Sequence, residues 1–395
     1  MMALWAFLAL ILSLGVFAQA AFLLAETLAD LADESTAPSP PEGARPRIAV
    51  VIPAHDEEQG VGATIANAKT EAAPGDRILV VADNCSDGTA AAARAAGAET
   101  IERHDAARRG KGYALQFGVD HLRADPPDVV VFTDADCRFD PCALARIAMR
   151  AAASGKPAQA LYLMDPPAGA TPKDRVSAFA WFMMNRIRMN GLYRLSGATR
   201  LTGAGMAFPW ALIENAPLAS GEVVEDLALS IRMIEQGAPP ALDRGAIVRS
   251  ALAKSSFGAT TQRARWENGS LAMARRHFLS LFRRGARGDG KALAFAFDIA
   301  TPPLVLFGAL IVAALLFSAP PALFGHDFAF DLAFWSAIFF AASIIIAWLR
   351  GGRALLPASQ IGGVFAYLLE KVRIYGGKGR RSARVWTRTD RGDAP

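Results

Sequence analysis

The chain has 395 residues, of which 52% are hydrophobic and 20% charged, with a mean hydropathy of +0.23. That is too apolar for an ordinary soluble domain and too charged for a chain held wholly in lipid, so one soluble domain joined to a few membrane segments is expected. The net charge of +5 does not argue for a nucleic-acid partner, because the basic residues crowd into 263–291 and 371–391, beside apolar segments, as the cytoplasmic flanks of membrane helices do.

Residues 3–25 carry only Ser13 and Gln19 as polar side chains, and as a helix they would reach about 35 Å, enough to cross a bilayer. Ala18-Gln19-Ala20 resembles a signal-peptidase site, yet the first five residues lack Lys and Arg and the apolar run continues past Ala20. An uncleaved anchor over 1–25 is therefore expected. Residues 26–46, rich in Pro, Ser and Ala toward their end, read as a linker. Short Ile/Val-rich runs then alternate with helical stretches: strands at 47–52, 77–81, 99–101 and 129–132, helices following the first and covering 89–96 and 113–122. That alternation predicts an α/β sheet with crossover connections. Polar turns stand just past three strand ends, at His55-Asp56-Glu57, Asp83-Asn84 and Asp134-Ala135-Asp136, where such sheets bind ligands.

Further along, 302–319 and 332–349 are apolar and long enough to span, and the connector 320–331 between them has no Lys or Arg. Arginines flank the pair on the other side, at Arg275, Arg276, Arg283, Arg284 and Arg287 before and Arg350 and Arg353 after. The positive-inside rule places the connector in the periplasm of a bacterial cell and the soluble domain, 47–291, in the cytoplasm. Residues 292–350 then hold two membrane helices, and 351–395 an interfacial helix and a basic cytoplasmic tail. The expected location is the inner membrane, multi-pass. Cys85, Cys137 and Cys142 form no paired CxxC pattern and are expected to stay reduced.

Four short patterns carry chemistry. Asp134 and Asp136, one residue apart at a strand end, suit a hard cation such as Mg2+ or Mn2+ shared with phosphate oxygens, although acidic turns after strands are commonly just solvated. Arg108-Arg109-Gly110-Lys111-Gly112 opens a helix, where glycines, the helix N-terminus and Lys111 can receive a phosphate, or form a plain basic turn. Glu225 and Asp226 open a helix; a first-turn acid pair suits the dipole, and one carboxylate can also serve as a general base. Gln262-Arg263-Ala264-Arg265-Trp266 combines a cation for a leaving diphosphate with an indole that can stack on a sugar, or else marks a helix at headgroup level.

Taken in order, 51–58, Asp83, 110–112, Asp134-Ala135-Asp136, Glu225-Asp226 and 262–266 resemble the family 2 glycosyltransferases of GT-A (Rossmann-like) fold. The QxxRW element resembles the branch with cellulose, chitin and hyaluronan synthases and ceramide glucosyltransferases. The resemblance covers about residues 47 to 284. It implies that Pro53, Ala54, Glu57 and Asp83 hold the nucleoside, usually uridine, and that Lys111, Gln262, Arg265 and Trp266 line the donor and acceptor site. It further implies that Asp134 and Asp136 meet the diphosphate and its Mg2+ or Mn2+, and that Asp226, beside Glu225, is the base of an inverting hexosyl transfer. Leu201-Thr202-Gly203-Ala204-Gly205 resembles the family's acceptor loop. Two departures shape the expectation. Only three crossings are evident, fewer than a polymer channel needs, so the acceptor is read as a membrane lipid or lipid-linked glycan. Residues 179–195 mix Trp181 and Met183 with Arg186, Arg188 and Arg194, a pattern for a helix in the membrane interface or for plain amphipathic packing. A processive polysaccharide synthase, aided by extra crossings, a partner subunit or a homo-oligomer, is the alternative. A degenerate scaffold would have no use for so many carboxylates, and a nucleotidyltransferase would not explain residues 262–266.

Overall fold

The computed structural model describes residues 1–32, 43–252 and 256–364, the side chains of 256–263 excepted. The described residues form two compact units, one of 1–32, 169–196 and 271–364, the other of 43–168, 197–252 and 256–270.

The second unit is built on one eight-stranded sheet: β1 (Ile48–Ala54), β2 (Arg77–Asp83), β3 (Glu99–Arg103), β4 (Val129–Phe132), β5 (Arg138–Phe139), β6 (Ala158–Asp165), β7 (Met206–Pro209) and β8 (Ala241–Ala251). Their order is β3-β2-β1-β4-β7-β6-β8-β5. The first four in that order are parallel, as the strand–helix alternation predicted. β7 breaks the pattern, running antiparallel to both β4 and β6. β1 and β4 are almost wholly buried Ile, Val, Ala and Phe, the composition of strands covered on both faces. The core pairs Val51, Leu79, Val81 and Phe132 with Leu115 and Val119 of the Lys111–Leu122 helix and Met233 of the Glu225–Glu235 helix. Phe132 packs on Phe208 across the β4–β7 join, ring centroids 5.6 Å apart. This sheet carries every polar turn that the sequence placed at strand ends.

The first unit is helical. Among the described residues three helices are long and apolar enough to cross a membrane: Met2–Leu31, Leu304–Ala322 and Phe328–Leu355. The first runs to Leu31, six residues past the expected end at 25, and buries Glu26, Thr27 and Asp30 in its last turns. Pro320 and Pro321, read as the start of a connector, lie inside the second helix. Val16, Ala20 and Leu23 share an apolar cluster with Phe307, Ile311, Ala333 and with Phe179, Met183 and Ile187.

The last three residues belong to the segment for which the sequence left open an interfacial helix or plain amphipathic packing, and here it packs. It starts as the Pro172–Phe182 helix, with Pro172 in its first turn and a capping box in which Thr171 and Asp174 bond each other's backbone N–H. It continues through a π-helical turn, Met183–Arg188, into the Met189–Ser196 helix. Arg186 and Arg188 are turned inward, whereas Arg194 is exposed. Arg188, with no exposed surface, donates to Glu26 Oε2 and to Asp298 Oδ1, each at 2.8 Å. Arg186 pairs with Asp30, which also accepts from Asn190 Nδ2 at 2.6 Å and lies 3.6 Å from Arg350. Glu26 and Asp30, four residues apart, face one side of their helix, as Arg186 and Asn190 do on theirs. An interfacial stripe would have left those charges in water; here each has a buried counter-charge, and that is what turns them inward. Of the stretch 351–395, expected to hold an interfacial helix and a basic tail, the described part to residue 364 has only the short Arg353–Leu355 helix and a 3-10 turn at Ala358–Gln360, Pro357 standing between them; the rest lies outside the described residues.

Candidate active site

The site is assembled from loops at the carboxyl ends of β1, β2 and β4, together with three segments from later in the chain. After β1, Asp56 has a left-handed backbone (φ 53°) and its Oδ1 accepts from the Ser86 backbone N–H at 2.6 Å. His55 Nδ1 lies 2.7 Å from the Asp83 carbonyl, and Glu57 N–H donates to Thr89 Oγ1 at 2.7 Å. The β1 and β2 turns are thus stitched together. Glu57 also approaches the β4 turn: its Oε2 and the Ala135 carbonyl each lie 3.9 Å from where a Cβ on Gly60 would sit. Pro53 and Ala54 close β1 opposite Val81 and Ala82 of β2. Asp83 is buried; desolvation pushes its carboxyl up, against the pull of Arg103, to which it is bonded at 2.6 Å.

Lys111 stands at the centre. Its ammonium pairs with Asp134, lies 3.7 Å from Glu225 and donates to the Gly203 carbonyl at 2.9 Å. Burial acts to lower its pKa, but Asp134, Glu225 and Asp226 together raise it, so the group stays charged. Gly203 has φ +84°, and a Cβ there would fall 3.2 Å from Lys111 Nζ, 3.3 Å from Asp226 Oδ2 and 3.9 Å from Asp134 Oδ2. Three functional groups therefore face one small space that only a glycine leaves open. The loop holding Gly203 is braced by Gln159, fully buried on β6, which accepts from Thr202 N–H at 3.0 Å and donates to the Ala204 carbonyl at 2.8 Å.

Glu225 and Asp226 open their helix as predicted. Desolvation, reinforced by Glu225, pushes Asp226 up to about 7, and Glu225 is itself raised by burial against the opposing charge of Lys111. Asp226 Oδ1 accepts from the Leu227 N–H at 2.7 Å, which fixes the carboxylate on the helix end. Arg265, on the Ser256–Ala286 helix, is held below its usual range by burial, opposed by Glu225 and Asp134. Trp266 follows it, half-buried. The Gln262 side chain lies outside the described residues.

Asp134, Asp136 and Cys137 present ligand atoms that all lie within 4.8 Å of one another. The donor chemistry fits a hard divalent ion through the two carboxylates alone. Burial pushes the Cys137 thiol well up, helped by Asp136 and Asp134, and sulfur is in any case a soft donor ill-matched to a hard ion. Two carboxylates leave coordination positions for phosphate oxygens and water.

The family model described as "Glycosyltransferase like family 2" matches residues 46–269. The chain belongs to glycosyltransferase family 2. This match spans the whole sheet of the family-2 domain and its polar turns. Among solved structures, the mannosyltransferase PcManGT from Pyrobaculum calidifontis, in complex with GDP-Man and Mn2+, is 18% identical, with a TM-score of 0.55 over 88% of this chain and 98% of that one. Glucosyl-3-phosphoglycerate synthase from Mycobacterium tuberculosis, in complex with Mn2+ and UDP-Glc, is 19% identical, with a TM-score of 0.40 over 58% of this chain and 79% of that one. No curated protein matches the sequence. The fold is of the GT-A type, with apolar helices before and after the family-2 domain. Arg103 and Gln159 were not singled out in the sequence; a lone arginine at a strand end and a glutamine inside an apolar strand carry no motif.

Proposed function

We propose that this chain is an inverting hexosyltransferase that moves a sugar from a nucleotide diphosphate donor to a membrane lipid or lipid-linked acceptor. The observation that carries the reading is the meeting of Lys111, Asp134 and Asp226 around Gly203 inside a family-2 domain. Pro53, Ala54, Glu57 and Asp83 hold the nucleoside, and Asp134 and Asp136 hold a divalent ion, Mn2+ or Mg2+, against the diphosphate. Such an ion, when bound, neutralises charge on the leaving group. The Mn2+ in the mannosyltransferase of similar fold agrees with that choice. Arg265 adds a second cation on the diphosphate side, and Gln262 and Trp266 line the sugar and acceptor space.

Asp226 takes the proton of the acceptor hydroxyl as that oxygen bonds to the anomeric carbon from the face opposite the diphosphate, which departs with the bonding pair. A carboxylate raised to about 7 suits the task, since a base works best when its pKa lies near the working pH. Lys111 opposes the upward push of burial on both Asp226 and Glu225, and the Asp226 carboxylate faces the open space beside Gly203. The three apolar helices support a lipid acceptor, whose tails stay in the leaflet while its head enters the crevice. The arginines flanking them support an inner-membrane location with the family-2 domain in the cytoplasm.

Protein in nanodiscs, supplied with labelled nucleotide sugars, Mn2+ and total lipid extract, followed by organic extraction, tests the reading. Label in a small extractable lipid is expected. Label confined to an insoluble polymer would replace the lipid acceptor by a growing polysaccharide, and no transfer from any donor would end the transferase reading.

A further inference from the structure

We propose that Arg103 sets which base the donor carries: by filling one oxygen of Asp83 it leaves the site a single acceptor, matched to an imide base of the uracil type and mismatched to guanine. This rests on the reading of the crevice as a nucleotide-sugar site. Arg103 lies directly opposite Asp83 in the parallel β2–β3 register. Its Nη1 donates to Asp83 Oδ1 at 2.6 Å, and its Nη2 donates to the Arg108 carbonyl at 2.8 Å, in the loop that leads to Lys111. The guanidinium also lies over the Tyr113 ring, 5.5 Å from the centroid. Asn84 Nδ2 donates to the same Asp83 oxygen at 2.9 Å. The Asn84 amide is not free to turn over, because its Oδ1 accepts from the Asp105 N–H at 2.8 Å.

An Oδ1 atom has two lone-pair directions, and both are used. Among the described residues none donates to Oδ2. Asp83 and Arg103 are 7% and 9% exposed, so packing holds this asymmetry in place. A carboxylate with both oxygens open would grip guanine through two parallel bonds, from the ring N–H and the amino group, as it grips a guanidinium fork. Here the second oxygen is spent. Uracil needs only one acceptor, for the single ring N–H between its two carbonyls, and Asn84 keeps a second amide N–H that can serve a carbonyl. Cytosine and adenine would bring a ring-nitrogen lone pair against Oδ2. Arg103 touches no substrate in this account; it is a positioning residue that acts through Asp83, and its bond to the Arg108 carbonyl ties base reading to the loop before Lys111.

Isothermal titration of full-length protein in detergent with Mn2+ and UDP, GDP or CDP tests this directly. Wild type should bind UDP at least about tenfold more tightly than GDP, the ratio expected when one buried donor is left unmatched. Arg103→Met opens one lone-pair direction of Oδ1, the Asn84 bond keeping the other, and should bring the ratio toward one, whereas Arg103→Lys keeps a charged donor and should retain most of the preference. Asp83→Asn needs no loss of Arg103. Its amide oxygen must face Arg103 and Asn84, which turns its NH2 toward the base, so UDP should weaken and CDP should gain. Equal UDP and GDP affinity in wild type, an unchanged ratio in a folded Arg103→Met protein, or equal weakening of all three nucleotides by Asp83→Asn would each overturn the proposal. Failure of wild type to bind any nucleotide would overturn the transferase reading along with it.

Discussion

Replacing Lys111 by Met should move the pH at which the enzyme switches off. Asp226 must be deprotonated to accept a proton, and its folded-state pKa is raised to about 7. With wild type, kcat/KM should therefore fall about tenfold for each pH unit below that midpoint, where an unperturbed aspartate would leave the rate flat. Lys111 is the main force holding the midpoint down. Its Nζ and the Asp226 Oδ2 lie 3.2 and 3.3 Å from one point, the Cβ position of Gly203. They are thus no more than about 6.5 Å apart, and at an effective dielectric of about 20 that is worth about 2.5 kcal/mol, or about two pKa units. Because the lost cation favoured the charged form, Lys111→Met should shift the acid limb upward, by about one to two pH units once solvent and the remaining charges are counted. Lys111→Arg keeps the charge and should leave the limb near its original place. The assay is initial rate against pH from 5.5 to 9 at limiting donor, about the range over which such a limb is resolved. A limb that stays put, or moves down, in Lys111→Met would show that Asp226 is not the titrating base.

Three further outcomes are expected. Asp226→Asn should bind donor normally but lose about 10²–10⁴-fold in turnover, as loss of a general base does, and retention of half the wild-type rate would assign the base elsewhere. Asp136→Asn should lower the affinity for Mn2+, read by paramagnetic titration without any substrate, and activity should vanish on chelation and return with Mn2+ or Mg2+; full turnover in chelator would refute a metal-assisted transfer. Arg188→Met should destabilise the helical unit by about 3–5 kcal/mol, because it strands Glu26 and Asp298 without a counter-charge. An unaltered melting curve in detergent would show that the triad contributes little.

Much of the parallel half of the sheet could be read from sequence, because β1, β2 and β4 are each a local apolar run with a turn at its end. β1, β2 and β4 fall, to within two residues at each end, where 47–52, 77–81 and 129–132 pointed. The antiparallel half could not. β7 is only Met206–Pro209, and its role as the hinge between β4 and β6 comes from long-range pairing that no local pattern encodes. The site was legible as an ordered set of motifs, since carboxylates and lysine stand out after strands. The residues that hold those groups were not: Gln159 reads as an oddity in an apolar run, and Arg103 as a surface charge, until the sheet lays it beside Asp83. The same blindness applied to Arg186 and Arg188. Sequence periodicity marks charge as outward, and only a partner distant in the chain can make it inward.

That distance has a bearing on how the protein is made. Glu26 and Asp30 leave the ribosome in the first apolar helix, but Arg188 follows Glu26 by 162 residues and Arg350 follows Asp30 by 320. At translation rates of about 5–20 residues per second the first partner arrives about 8–30 s later. Throughout that interval Glu26 and Asp30 lack the arginines that they pair with in the folded unit, and the strands β1 to β6 are all made before those arginines. The charge network of the helical unit is therefore closed in order along the chain, first by Arg186 and Arg188, then by Asp298, and last by Arg350.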